Sequence, residues 1–204
     1  MNMKKIISFF IVACCAMCAT AAKVVWQIGV ADNSGTELAL GPSEYKKFLA
    51  HDFGYEDRYF LVGTSVDKND FPYVLPGPDD TWGGTWSTSG WRTHDANILF
   101  GIKKLPKHGK WKLVVDLVDA NPSRSVVKVM VNSAEKKFEI KGHSKGVLEG
   151  NLQDAKEQIL EFPISADDLK KGGNMVTVSV LEGGWIVFDQ IRLEGADELV
   201  LEKN

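Results

Sequence analysis

The chain has 204 residues, of which 44% are hydrophobic and 25% charged, and its formal net charge is −3. That length carries one domain with a proper core, and the acidic balance excludes the basic footprint expected of a nucleic-acid binder. All three cysteines, Cys14, Cys15 and Cys18, lie in the N-terminal segment.

The first segment is a leader. MNMKK is short and basic, an apolar run follows from Ile6 to about Ala19, and Thr20-Ala21-Ala22 supplies small residues. This order predicts a secretory signal peptide over residues 1–22, with an apolar run short for a membrane span. Ile11-Val12-Ala13-Cys14 also has the form of a bacterial lipobox. Simple cleavage predicts a secreted or periplasmic protein; the alternative is lipid anchoring at the bacterial cell surface through Cys14. Without residues 1–22, 182 residues remain, free of cysteine, with 22 basic against 27 acidic side chains and a net charge of −5. A disulfide framework and a Cys-based metal site are then both excluded. No transmembrane span is expected in the mature chain.

From Lys23 onward the chain reads as short strands separated by turns. Val24–Val30 and Arg58–Val66 come first, with a helical stretch between them at Ser43–Leu49, where Tyr45, Phe48 and Leu49 recur at helical spacing. Asn97–Ile102 alternates Ile98, Phe100 and Ile102. Lys112–Ala120 sets Leu113, Val115 and Leu117 on one face, and Val126–Asn132 does the same with Val127, Val129 and Val131. Ile159–Phe162 is a further strand. Ser165–Gly172 carries a Ser cap, early acids, late lysines and a Gly stop, which predicts a short helix. Met175–Leu181 then alternates Val176, Val178 and Val180. Period-two patterns rich in β-branched residues, with two short helices, predict an all-β sandwich or jelly roll of eight to ten strands. No repeat or low-complexity linker divides it, so residues 23–196 form one domain and residues 197–204 a tail, linker or further strand start.

The last strand, Trp185–Glu194, holds Asp189 on the face of Val187, Ile191 and Leu193. An inward carboxylate is costly unless it is paired or coordinated. Backbone or side-chain hydrogen bonds at the sandwich edge are the plain reading. A structural calcium ion, with Asp189 as its candidate ligand, or a contact from Asp189 to a bound ligand is the alternative.

Several motifs together resemble a known family. Val25-Trp26-Gln27-Ile28-Gly29 with Ala31-Asp32 is similar to the opening strand of the C-terminal jelly-roll domain (domain III) of polysaccharide lyase family four, the rhamnogalacturonan lyases. Arg58–Gly63, the loop Asp70–Pro78 followed by Asp80 and Trp82-Gly83, and the closing strands Gly173–Val178 and Phe188–Glu194 resemble successive blocks of that domain. The resemblance runs from Lys23 to about Gly195. It implies a carbohydrate-binding-module-like sandwich of the galactose-binding-like superfamily. It also implies a module without the lyase catalytic residues, which belong to a separate and larger domain. Two features depart from the family pattern: the domain directly follows a leader, and Trp86 and Trp91 have no counterpart.

The stretch DDTWGGTWSTSGW, residues 79–91, puts three tryptophans among Gly, Ser and Thr. A pyranose packs its C–H face on an indole while its hydroxyls seek polar partners, so exposed aromatics beside polar side chains make a sugar site. Tyr73, Asp80, Trp82, Trp86, Trp91, Arg92 and His94 are the candidate ligand-binding residues. Arg92 has the fork to grip a uronate, which suits a pectic glycan, while the negative net charge leaves neutral glycans open. Trp26, Trp111 and Trp185 sit in strand patterns and are expected in the core. For Trp82 packing and ligand contact stand as equal alternatives. The histidines show no HExxH spacing, and there is no GxSxG elbow or phosphate loop. The expected protein is therefore a secreted, non-catalytic glycan-binding module with a polysaccharide or oligosaccharide as ligand and a larger catalytic protein as partner. An interaction domain serving such an enzyme is the alternative, and a lyase or hydrolase in its own right comes third.

Overall fold

The computed structural model describes residues 22–54, 57–85 and 93–203. The expected leader, and with it the lipobox-like stretch, lies outside them. Among the described residues, eleven strands form two sheets. The first sheet has the order β1-β10-β5-β8, with the short β3 added on β10. Its members are β1 (Lys23–Gly29), β3 (Val74–Leu75), β5 (Lys110–Ala120), β8 (Gln158–Ser165) and β10 (Ile186–Gly195). The second sheet has the order β11-β4-β9-β6-β7, with β2 added on β4. It contains β2 (Arg58–Leu61), β4 (Asp95–Lys104), β6 (Arg124–Val131), β7 (Ala134–Lys141), β9 (Gly172–Glu182) and β11 (Val200–Leu201). The four-strand frames 1-10-5-8 and 4-9-6-7 are those of a jelly roll.

The core forms where the alternation predicts it. Ile98, Phe100 and Ile102 of β4, Val127, Val129 and Val131 of β6, and Val176, Val178 and Val180 of β9 are all buried. They belong to one cluster with Leu113, Val115 and Leu117 of β5 and Ile191 and Leu193 of β10. Trp26, Trp111 and Trp185 are buried in the same cluster. Trp111 also donates its indole N–H to the Asp197 carbonyl at 3.2 Å.

Three features differ from the sequence reading. The strand expected over Arg58–Val66 stops at Leu61; the chain turns there and forms a short helical turn, Asp67–Asp70. The stretches read as helices shrink to 3-10 turns at Tyr45–Lys47 and Ala166–Asp168. β7 is an added strand. It carries Lys and Glu on nearly every exposed position and buries only Ile140, which is the charged dress of an edge strand. Residues 197–204, read as a tail, linker or further strand start, supply β11, whose Val200 and Leu201 pair with Lys104 and Ile102 of β4.

All the long loops except one helical turn gather at one end of the sandwich, the end where β1, β3, β5 and β9 finish and β4, β6, β8 and β10 begin. A lysine fastens the longest of them. The Lys68 ammonium donates to the carbonyls of Thr36 at 2.8 Å, Leu38 at 3.2 Å and Gly41 at 3.2 Å. Three carbonyl oxygens converging on one cation fix the path from residue 36 to 41. Lys68→Met should therefore cost about 1–2 kcal/mol, since hydrogen bonds to charged groups are worth somewhat more than neutral ones. Urea unfolding would show it, and an unchanged midpoint would show that the clasp carries no stability.

Candidate functional site

The loop that joins β3 to β4 begins at Pro76. Its first half is held by its own polar groups. The Gly77 N–H donates to Asp80 Oδ2 at 2.8 Å, and the Asp80 N–H donates back to the Gly77 carbonyl at 3.0 Å. The Thr85 hydroxyl is bonded to the Gly77 carbonyl and lies 3.2 Å from the Asp80 carbonyl. The Asp79 N–H reaches across to Gly183 O at 3.0 Å, in the turn between β9 and β10. Two glycines permit this closeness. A Cβ on Gly77 would stand 2.4 Å from Gly183 O, and one on Gly83 would stand 2.2 Å from Pro76 Cβ.

Asp80 is 8% exposed, and burial pushes its carboxyl up to about 7. Hydrogen bonds from the Gly77 and Trp185 backbones and from the Trp82 side chain oppose that rise, while the charge of Asp79 adds to it. Asp80 is thus the knot of the loop, placed beneath it and away from solvent.

Trp82 is half-buried. Its ring meets Tyr45 edge-on, with centroids 5.0 Å apart and planes at 77°, and lies 6.3 Å from Phe48. The 3-10 turn Tyr45–Lys47 thereby forms a wall against the loop. His94 is buried, with Nε2 bonded to the Gly83 carbonyl and its ring 5.3 Å from Phe48. Thr85 on one side and His94 on the other are therefore both fixed.

The structure brings Asp80, Trp82 and His94 together at the loop end. It does not bring Tyr73 to a surface. Tyr73 is 1% exposed, belongs to the core cluster and donates its hydroxyl to the Leu148 carbonyl at 2.8 Å. Its phenol is correspondingly pushed well above the usual range, chiefly by burial. Its place in the apolar-looking run FPYVLPG, directly before a two-residue strand, is the signal for that packing role. Trp86, Trp91 and Arg92 lie outside the described residues.

The sequence reading missed Tyr45 and Phe48 as the wall behind Trp82; their helical spacing from Ser43 onward was the available signal. The turn that carries Tyr45 also contributes Glu44 and Lys47 to a cleft of about 370 Å³, together with Leu40, His51 and Lys68.

Asp189 is 1% exposed, and its Oδ1 accepts the Ser34 N–H at 3.0 Å. The β10 register shifts between Val187, Phe188 and Gln190, so Asp189 sits at a bulge. Burial raises its carboxyl above the usual range, against hydrogen bonds from the backbones of Asn33, Ser34 and Asp32. The carboxylate thus ties the β1–β2 loop to β10. Among the described residues, no group of three or more His, Cys, Asp or Glu side chains is gathered as a metal site. Also among them, no helix is long and apolar enough to cross a membrane.

Comparison with known proteins gives one extended match. The profile of the family described as CBM-like, polysaccharide lyase family 4, domain III, matches residues 24–193. No curated protein sequence matches the chain. Among solved structures, it is similar to a family 35 carbohydrate-binding module of Cellvibrio japonicus Abf62. That likeness has 13% identity and a TM-score of 0.36, over 52% of this chain and 68% of the other. A family 35 module from an environmental isolate gives 14% identity and a TM-score of 0.36, over 54% of this chain and 72% of that one. A family GH115 4-O-methyl-alpha-glucuronidase with specificity for decorated arabinogalactans gives 17% identity and a TM-score of 0.34. That alignment covers 53% of this chain and spans only 15% of the glucuronidase.

Proposed function

The chain belongs to the CBM-like domain III family of polysaccharide lyase family 4, and from that premise we propose that it is a non-catalytic module that holds a polysaccharide for a larger degrading enzyme. The observation that carries this reading is the extent of the match, residues 24–193, which takes in both sheets apart from β11. The proposed contact face is the loop end. The fixed Gly77–Thr85 knot and the buried His94 supply a rigid base for the stretch that carries Trp86, Trp91 and Arg92.

The absence of catalysis is supported by how the loop acids are occupied. Asp80 is buried against the Gly77 backbone, and Asp95 accepts the Ser179 hydroxyl. Glycoside hydrolysis needs two carboxylates free to work on the scissile bond, and both of these are engaged by the domain's own groups. Arg92 gives the finer reading of a pectic glycan, since a guanidinium grips a uronate through two parallel bonds. A secreted or lipid-anchored location completes the proposal. It follows from the leader and from the position of polysaccharides outside the cell.

Tryptophan fluorescence titrated with pectic and neutral polysaccharides, with and without calcium, tests it. Trp86→Ala and Trp91→Ala should each weaken binding about tenfold or more while moving the melting temperature by no more than about 2 °C, the pattern of contact residues outside the core. A large fall in melting temperature with affinity intact would assign the loop to packing. Silence across the whole panel would move the protein to the role of an interaction domain. A response that needs calcium would bring a bound ion back into the account.

A further inference from the structure

The outward face of the second sheet carries a feature that the loop end does not explain. β2 runs parallel to β4, and Leu61 is paired with Leu99; β4 runs antiparallel to β9, and Leu99 is paired with Met175. Leu61, Leu99 and Met175 therefore form one apolar row across three strands, on the side opposite the buried Ile98 and Val176. Leu61 is 38% exposed and Met175 36%. Two residues further along, the next row consists of Gly101 paired with Gly173, which has no side chains at all. A Cβ placed on Gly173 would meet nothing within 4 Å. Tyr59, at 56% exposure, lies on β2 two positions from Leu61 and points to the same side.

The result is a groove of about 870 Å³, whose floor is Leu99, Gly101, Gly173 and Met175. This is the size of a small-molecule site. Its charged rim consists of Asp167, Asp168 and Glu202 against the single ammonium of Lys170. The Glu202 side chain lies over Gly101, where a Cβ would stand 2.5 Å from its Oε2, and its N–H donates to the Gly101 carbonyl at 2.9 Å.

We propose that this groove is a second glycan site, distinct from the loop end, and that it takes an uncharged run of sugar residues. The inference rests on the reading of the protein as a glycan-binding module. The apolar row offers a flat surface for the C–H face of a pyranose, as large apolar side chains do in ligand clefts. The missing side chain at Gly173, with nothing within 4 Å of where its Cβ would be, lets the ring sit close to the backbone there. Asp168 is engaged by the Ser165 N–H at 2.8 Å and hydroxyl at 2.7 Å, so Asp167 and Glu202 are the rim carboxylates that accept hydrogen bonds from sugar hydroxyls, which donate readily to charged acceptors. All three carboxylates select against a uronate, because three negative charges against one positive repel an incoming anion. The face thus complements the proposed uronate preference of Arg92: one end of the module for the charged part of a polysaccharide, one face for its neutral part.

The test uses the full domain with Trp86→Ala and Trp91→Ala combined, so that binding at the loop end is removed. The probes are a neutral galactan oligosaccharide and polygalacturonate, followed by calorimetry. Residual binding of the neutral oligosaccharide is expected, and adding Gly173→Leu should weaken it about tenfold or more. The backbone of Gly173 lies outside the left-handed region and the space above it is open, so the leucine fills the groove without strain. If that variant does not fold, Met175→Ser, at an exposed position, should lower the same residual affinity several-fold. Residual binding that ignores both changes would overturn the groove, as would its absence in the double tryptophan variant while the unaltered domain still binds. Both results leave the module reading intact. Residual preference for polygalacturonate would overturn the neutral assignment. Failure of the unaltered domain to bind either probe would overturn the groove and the module reading together.

Discussion

Replacing Asp119 by alanine should remove about 3–5 kcal/mol from the stability of the domain, because it strands several buried hydrogen-bond donors at once. Asp119 ends β5 and is fully buried. Its Oδ1 accepts the backbone N–H groups of Ala120 at 2.8 Å and His143 at 2.9 Å, and its Oδ2 accepts that of Ser144 at 2.9 Å. The side chain thus does for residues 143–144 what a neighbouring strand would do. Gly142 comes so close to β5 beside it that a Cβ there would overlap the Ala120 carbonyl. Water cannot replace the carboxylate at such a place without opening the loop. Asp119→Asn keeps one acceptor oxygen and should fall between alanine and the parent. For a domain of this size, the alanine variant should melt about 10 °C lower. Urea denaturation measures the free energy directly, and a loss below about 1 kcal/mol would mean that the loop is held by other contacts.

Asp80 should make the domain more stable at mildly acid pH than above neutrality. Its carboxyl is raised to about 7 by burial, whereas in the unfolded chain it titrates near 4. The fold therefore favours the neutral acid. The stabilising contribution is complete below about pH 4 and is lost as the pH rises through about 7, where the buried group must ionise. The full span is worth on the order of 4 kcal/mol if the whole shift is realised. Asp116 acts in the same direction at a slightly lower pH, its carboxyl being raised to about 6 by burial and by the charges of Glu157 and Asp189, against Arg192. The contribution of Asp80 alone is read from the difference between the parent and Asp80→Asn, each unfolded in urea at pH 4.5, 6 and 8. The asparagine keeps an acceptor for the Gly77 N–H and cannot ionise. The parent should lose stability relative to this variant with rising pH. A difference that stays flat would place Asp80 in contact with solvent.

How much of this could be read from the sequence depended on whether a pattern is local. β4, β6 and β9 set an apolar residue at every second position where one face meets the core, and all three were legible even though polar side chains such as Asn97, Thr177 and Ser179 of the other face are buried as well. β7 was not, since an edge strand buries almost nothing and reads as a run of Lys and Glu. β3 and β11 have two residues each, too few to show a period. At the loop end, the cluster of tryptophans marked the region, but composition could not separate the residue under the loop from those on it. Asp80 and His94 are polar and yet buried, because their partners, the Gly77 N–H and the Gly83 carbonyl, are backbone groups that leave no trace in a side-chain pattern. Tyr73 is withdrawn into the core in the same way: its hydroxyl is satisfied by the Leu148 carbonyl, far away in the chain. Asp189 was flagged because it broke an alternation, and the bulge that accommodates it appears only in the pairing register.

The pairing of the first strand with the tenth sets how fast this domain can assemble. Lys23 lies opposite Gly195 and Ile28 opposite Ile191, and β4 waits for β9 in the other sheet. Neither sheet can close its centre until nearly the whole chain is present. Loop closure over such separations must be completed before its contacts stabilise anything, which places jelly rolls among the slow folders, on the order of milliseconds to seconds. A chain cut before β10 would leave β1, β3 and β5 without their common neighbour, so fragments of this protein should aggregate instead of folding in part.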